Sequence, residues 1–61
     1  MEIALNYNKQ TKKWSAVLHV DGYKDAVTMP RPGCAVREVL NRFQYAMGAP
    51  SGNLTVRIDG W

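Results

Sequence analysis

The chain has 61 residues, and a domain of that size buries only about 60% of the surface that its unfolded chain exposes. Its single cysteine and single histidine exclude a disulfide framework and a metal site rich in cysteine or histidine. We find neither a charged start followed by an apolar segment nor a long apolar run, so we expect no signal peptide, no membrane span and a cytoplasmic location. The net charge of +3 permits nucleic acid or an acidic protein surface as partner.

Three segments in the first half of the chain alternate polar and apolar residues, which is the period of a strand with one buried face. Polar residues 8–12 separate the first two segments. Asp21-Gly22 separates the second from the third and is a hairpin signal, because glycine accepts positive φ in a tight turn. We therefore predict three strands, over residues 2–7, 13–20 and 23–29.

One amphipathic helix is predicted after these strands. The prolines of segment 30–33 end the third strand, and Pro-Gly at its end suits the centre of a type II turn. Apolar residues then recur at helical spacing over 35–47. Gly48 is placed to form a left-handed C-terminal cap, and Pro50 prevents continuation.

A last alternating segment, residues 53–59, predicts a fourth strand and the order β-β-β-α-β. We therefore predict a single α+β domain over residues 1–61, with an antiparallel four-stranded sheet and one helix on one face. The helix is expected to cover the apolar side of all four strands, formed by Ile3, Leu5, Tyr7, Trp14, Ala16, Leu18, Val20, Val27, Met29, Leu54, Val56 and Ile58.

Candidate catalytic groups are few. Cys34 precedes the helix near Arg31 and Arg37, surroundings that favour a thiolate. His19, however, falls in the middle of the second strand, with no reason to lie beside it. We interpret Cys34 as a small residue at a turn and His19 as a surface strand residue. With scattered acids and no glycine-rich phosphate loop, we expect no catalytic residue, no metal and no cofactor; an enzyme with Cys34 as nucleophile is the least favoured alternative.

Basic residues are expected to gather at one end of the sheet. Strand directions place the 8–12 loop, the end of the third strand and the start of the helix together. Cations and free N–H groups of a helix N-terminus attract anions. Loop lysines that are merely solvated remain an alternative. The candidate partner-binding residues at this end are Lys9, Lys12, Lys13, Arg31 and Arg37, with Trp61 close by.

The sheet face without a helix carries small side chains, His19 and Arg57 but no aromatic residue. Single-stranded RNA binders of the sheet type stack bases on aromatic residues, so this face suits a protein better. Contact could be through the face or through strand addition at an edge. A homodimer formed in either way is an open alternative, as is a nucleic acid held by the basic end.

Four segments carry a first resemblance: Glu2-Ile-Ala-Leu-Asn-Tyr7, Lys13-Trp-Ser-Ala-Val17, Pro32-Gly-Cys34 and Val36-Arg-Glu-Val-Leu-Asn41. In this order they resemble the HicB antitoxin family. Its degenerate RNase H-like domain runs β-β-β-α-β and commonly carries Pro-Gly-Cys before the helix. The resemblance implies a protein that binds and neutralises a toxin.

A second resemblance covers residues 12–59, with Lys12-Lys-Trp-Ser-Ala-Val17, the hairpin, a helix ending Phe43-Gln44-Tyr45, and Leu54-Thr-Val-Arg-Ile58. It is similar to the small podophage inhibitors of host RNA polymerase, which place a helix against a three-stranded antiparallel sheet. In that family an arginine on the final strand contacts the polymerase, which implies the same role for Arg57.

The sequence thus predicts a small non-enzymatic regulator of a phage or mobile-element type. We expect it to bind and inhibit a host protein or a protein–nucleic-acid machine, such as a polymerase, nuclease or toxin. The alternative is a basic module that contacts nucleic-acid phosphates through the lysines and arginines at one end of the sheet.

Overall fold

Four strands and one helix make up the computed structural model, which describes residues 1–20, 22–49 and 52–60. The predictions that involve Asp21, Pro50 and Trp61 lie outside the described residues. The predicted α+β fold with four strands and one helix is confirmed. Its elements are β1 (Glu2–Asn8), β2 (Lys13–Val20), β3 (Tyr23–Met29), α1 (Pro32–Met47) and β4 (Thr55–Gly60).

The sheet is mixed, in the order β3-β2-β1-β4, and the prediction of an antiparallel sheet throughout is wrong for β4. β1, β2 and β3 form an antiparallel meander, but β4 pairs with β1 in parallel, with Ile3 opposite Val56 and Leu5 opposite Ile58. The reason is the helix: α1 runs back along the sheet for 16 residues, about 24 Å, so β4 starts at the end where β1 starts.

The helix begins three residues before the predicted start. Pro32 and Gly33 form its first turn instead of a type II turn, because the first helical position needs no backbone donor and proline's fixed φ suits it. At the other end Gly48 has φ 88° and ψ −177°, and its N–H donates to the carbonyl of Gln44 at 2.9 Å. The expected positive φ is confirmed, although the ψ is not that of a left-handed helix.

The core lies between α1 and the first three strands. Its buried residues are Ile3, Leu5, Ala16, Leu18, Val27, Ala35, Val39 and Phe43. The prediction that the helix also covers β4 is wrong: Leu54, Val56 and Ile58 are 44%, 44% and 51% exposed. Ala46 and Met47 at the end of the helical stripe are exposed as well. A single helix about 10 Å wide covers about two strands, and α1 packs mainly on β2 and β3.

Candidate protein-binding surfaces

The loop between β1 and β2 holds two of the predicted cations in a defined turn. The Asn8 side-chain Oδ1 accepts hydrogen bonds from the N–H groups of Gln10 at 2.8 Å and Thr11 at 3.2 Å. The Lys12 N–H donates to the Asn8 carbonyl at 2.7 Å, and Lys12 has a positive φ of 58°. Side-chain capping of this kind fixes the turn, so Lys9 and Lys12 are presented by an ordered backbone.

The start of α1 brings a third part of the chain to the same end of the sheet. Trp14 lies opposite both Tyr7 and Met29, so the start of β2 adjoins the ends of β1 and β3. The chain passes from Met29 into the helix through Arg31, whose side chain makes no capping hydrogen bond. We call the exposed cations of this region the basic end: Lys9, Lys12, Lys13, Arg31 and Arg37.

No ion pair joins the basic end to another described residue; the ion pairs present involve Arg42 and Arg57. Arg37 lies on the exposed side of α1, six residues beyond Arg31 and therefore roughly 9 Å further along the axis. Lys9, Lys12, Lys13 and Arg31 are thus brought together, and Arg37 extends the charge along the helix.

An aromatic pair that the sequence assigned to the core borders the basic end. Tyr7 and Trp14 are opposite each other on β1 and β2, with ring centroids 5.1 Å apart and planes tilted by 49°. Both are only partly buried, and Trp14 packs against the core. Alternation along the strands correctly predicts that both rings lie on the helix side of the sheet. Their partial exposure could not be predicted, because it depends on where the helix lies.

No helix among the described residues covers the other face of the sheet, as the prediction of a single helix implied. We call it the open face: Glu2, Ala4 and Asn6 of β1, Ser15, Val17 and His19 of β2, Lys24, Ala26 and Thr28 of β3, and Thr55, Arg57 and Asp59 of β4. The row Ala26–Val17–Ala4 crosses its centre, and the Ser15 and Thr28 hydroxyls are 3.1 Å apart beside it. This centre carries alanine, valine, serine and threonine side chains and no aromatic ring.

Arg57 lies at the β4 edge of the open face, opposite Ala4, and is held by two carboxylates. Its Nη1 is 2.8 Å from Glu2 Oε1, while its Nε and Nη2 donate to Asp59 at 2.6 and 3.2 Å. The hydrogen bonds and charge of Asp59, with the charge of Glu2, raise the pKa of Arg57. Arg57 is therefore part of a charged cluster separate from the basic end.

A second charged cluster, which the sequence did not suggest, joins α1 to the free edge of β3. Arg42 Nε is 2.7 Å from Asp25 Oδ2, and the Tyr23 hydroxyl donates to the same oxygen at 3.3 Å. Desolvation first, and then the charge of Asp25, raise the pKa of Tyr23. Alternation along β3 places Asp25 on the helix side of the sheet with Val27. A carboxylate on that side needs a partner, so the alternation is the sequence signal from which this cluster could have been predicted. The cluster lines an open groove of about 540 Å³ together with Lys24, Asn41 and Tyr45.

The two residues considered for catalysis are at opposite ends of the sheet. Cys34 lies half-buried in the first turn of α1, at the basic end. His19 is exposed on the open face and pairs with Lys24, next to the β2–β3 turn. Within residues 1–20, 22–49 and 52–60, no three His, Cys, Asp or Glu side chains are grouped to hold a metal ion.

Fold and surfaces together define a two-layer α+β domain with an open sheet face and a basic end. No protein-family model matches the chain, and neither a curated protein nor a solved structure matches it significantly. Among the described residues we find no helical segment with the length and hydropathy that a membrane span requires.

Proposed function

We propose that this chain is a small non-enzymatic regulator, of a phage or mobile-element type, that binds and inhibits a protein or a protein–nucleic-acid machine in the cytoplasm. The observation that carries the proposal is the open face, a whole side of the sheet with no covering layer. Its central Ala26–Val17–Ala4 row allows close approach of another protein surface, because it presents neither bulky nor charged groups.

Charge placement supports the same partner class. The basic end has no ion pairs with described residues, so its positive field remains available to steer an acidic protein surface. Arg57 adds a polar contact at the rim of the open face, with Glu2 and Asp59 fixing its guanidinium. Trp61 follows β4 in the sequence and belongs to the proposed binding residues.

The two resemblances support this class as well. The HicB-like domains run β-β-β-α-β, which is the element order here. The podophage inhibitors place a helix against an antiparallel sheet, and β1, β2 and β3 form such a unit with α1. Toxin, polymerase and nuclease are therefore the targets we propose.

A nucleic-acid-binding module is the second candidate, and the Tyr7–Trp14 pair favours it. Two partly exposed rings beside Lys13 could stack on bases while the cations of the basic end contact phosphates. The aromatic residues lie on the helix side of the sheet, so this mode would leave the open face unused.

Affinity capture from bacterial lysate, with mass spectrometry of the retained proteins, tests the proposal. The immobilised chain is compared with Val17→Asp on the open face and Gln44→Asp on the exposed side of α1. We expect Val17→Asp to lose the captured protein and Gln44→Asp to retain it, with circular dichroism showing that both variants are folded. The captured protein's activity should fall when the purified chain is added.

Nuclease treatment of the lysate separates the two candidates. Capture that survives nuclease and depends on Val17 supports the protein partner. Retention that disappears with nuclease and is unaffected by Val17→Asp would contradict it and favour nucleic acid.

A further inference from the structure

The helix side of the sheet has an uncovered apolar strip along β4. Val56 and Ile58 point to the same side as buried Ile3 and Leu5, their partners on β1, yet about half of each side chain is exposed. Leu54 precedes them with 44% exposure. Three aliphatic side chains on an edge strand are left in water because α1 packs on the same face but above β2 and β3.

One flank of α1 continues this strip. Arg42 of α1 contacts Asp25 of β3, so the side of the helix that carries Arg42 faces β3. At 100° per residue, Val36, Leu40 and Met47 lie about 120° to 160° around the helix from Arg42 and therefore face β1 and β4. Val36 and Leu40 are partly buried, and Met47 is 55% exposed. We call the combined surface the apolar trough: Val36, Leu40, Met47, Leu54, Val56 and Ile58.

The width of the trough matches one helix. Four strands about 4.8 Å apart span roughly 14 Å between the outer axes, and packed helices lie about 8–10 Å apart. Because α1 occupies the side above β2 and β3, a second helix beside it would lie above β1 and β4. It would cover the whole of the apolar trough.

Two other occupants fit the trough poorly. A strand added to the β4 edge would lengthen the sheet and leave Leu54, Val56 and Ile58 uncovered. The α1 of a second copy would present its outward side, since its apolar side packs on its own sheet. Apart from Tyr45, which is 97% exposed, that outward side is polar and carries Arg37, Glu38, Asn41 and Gln44. An apolar helix face from a different protein fits the trough better than either.

We propose that the apolar trough binds one amphipathic helix of the partner protein, antiparallel to α1 and with acidic residues in its last turn. α1 begins at the basic end, so an antiparallel helix would finish there, with its negative dipole end and carboxylates next to Lys9 and Lys12. This inference rests on the proposed function, because it names the kind of partner that the chain would bind.

The test uses a synthetic 18-residue helix with leucine at positions i, i+3, i+4 and i+7 and glutamate in the last turn. Its binding to the full chain is measured by titration calorimetry and mapped by NMR. We expect Val56→Thr/Ile58→Thr to weaken binding at least ten-fold, whereas Gln44→Ala on the exposed side of α1, outside both the trough and the open face, is the control and has no effect. A peptide with lysine in the last turn should bind more weakly than the glutamate peptide.

Several outcomes would overturn the proposal. They are equal binding of a scrambled peptide without helical leucine spacing, NMR shifts confined to the open face, and sedimentation showing a dimer that the Val56→Thr/Ile58→Thr variant abolishes. The peptide assay does not depend on the lysate capture. If the peptide binds but no protein is captured from lysate, only the proposed function is contradicted. If Val56→Thr/Ile58→Thr captures the same protein as the unchanged chain and the peptide does not bind, only the proposal for the trough is contradicted.

Discussion

At the scale of single residues, Asp25 shows how one inward-facing charge ties the helix to the edge of the sheet. Its side chain is 17% exposed and pairs with Arg42 while accepting a hydrogen bond from Tyr23. An inward-facing charge also discourages strand addition at a free sheet edge. Helical spacing points to a different partner, since Glu38 lies four residues before Arg42, but no Glu38–Arg42 ion pair forms among the described residues.

Replacing Asp25 by asparagine should reduce the free energy of unfolding by about 1–2 kcal/mol, because Arg42 loses its partner and the Tyr23 hydroxyl loses its charged acceptor. Glu38→Gln is the control and should change stability by less than about 0.5 kcal/mol. Urea unfolding followed by circular dichroism measures both. Equal effects of the two variants would mean that the cluster does not stabilise the fold.

Tyr23 should make stability depend on pH in the alkaline range. Its pKa in the folded protein is raised above the ordinary 10.0, by desolvation and then by Asp25. Below pH 10 both states keep the proton; above it the unfolded chain releases the proton first, so stability falls as the pH rises. The Tyr23→Phe variant keeps the edge-to-face contact with Phe43 but has no hydroxyl to titrate. Its free energy of unfolding should therefore lack the part of the decrease above pH 10 that Tyr23 causes. Thermal unfolding at several pH values between 8 and 11, on both proteins, measures it.

At the scale of elements, the helix ends show which local signals are strong. The apolar period over 35–47 correctly predicts α1, and Gly48 marks its end. The start was misplaced because Pro-Gly is compatible both with a turn and with a first helical turn. Strand alternation is equally reliable for β1, β2 and β3, whereas β4 begins at Thr55 instead of Asn53.

Gly48 and Gly33 offer a matched pair for testing the helix end. A Cβ would meet open space at both positions, but only Gly48 has a positive φ, of 88°. Gly48→Ala should therefore lower the free energy of unfolding by about 1–3 kcal/mol, because residues with a Cβ rarely adopt φ near 88° with ψ near −177°. Gly33→Ala, inside the first turn, should raise it by roughly 0.5–1 kcal/mol. Opposite signs in chemical denaturation are expected, and the same sign at both sites would contradict the backbone argument.

At the scale of the whole molecule, one helix on four strands leaves three kinds of surface. They are the open face, the apolar trough and the basic end, and they differ in the partners they suit. The core reaches only as far as β1, so β4 depends on its parallel pairing with that strand and on the link from the Thr55 N–H to the Met1 carbonyl at 2.9 Å. A 61-residue fold with so little covering is expected to be only marginally stable.

Removing the three lysines of the basic end together, as Lys9→Ala/Lys12→Ala/Lys13→Ala, takes the net charge from +3 to zero. We expect weaker binding of the captured partner and a smaller decrease of affinity with added salt, because fewer charges are screened. Gln44→Glu, which removes one unit of net positive charge on the exposed side of α1 away from the basic end and the open face, is the control. Titrations at several salt concentrations measure the slope, and an unchanged affinity in the triple variant would exclude the basic end from binding.

Some site predictions follow from the sequence and others need the packed chain. Strand directions alone bring Lys9, Lys12, Lys13 and Arg31 together, since short turns leave little freedom. The Glu2–Arg57–Asp59 cluster could not be predicted, because it requires β4 to lie beside β1 and in parallel. The half-exposed Tyr7–Trp14 pair likewise depends on where the helix lies.

Spacing between near neighbours along the chain is enough to predict the elements, their order and the apolar side of each strand. The pairing of β4 with β1, the strands that α1 covers and the exposure of Leu54, Val56 and Ile58 emerge only in the folded chain. These depend on the width of a helix relative to a four-stranded sheet and on long-range pairing, which no local pattern records. The Met29–Phe43 stretch illustrates the local and the long-range contribution. Its apolar period predicts a helix, whereas the contact of Arg42 in that helix with Asp25 exists only in the folded chain.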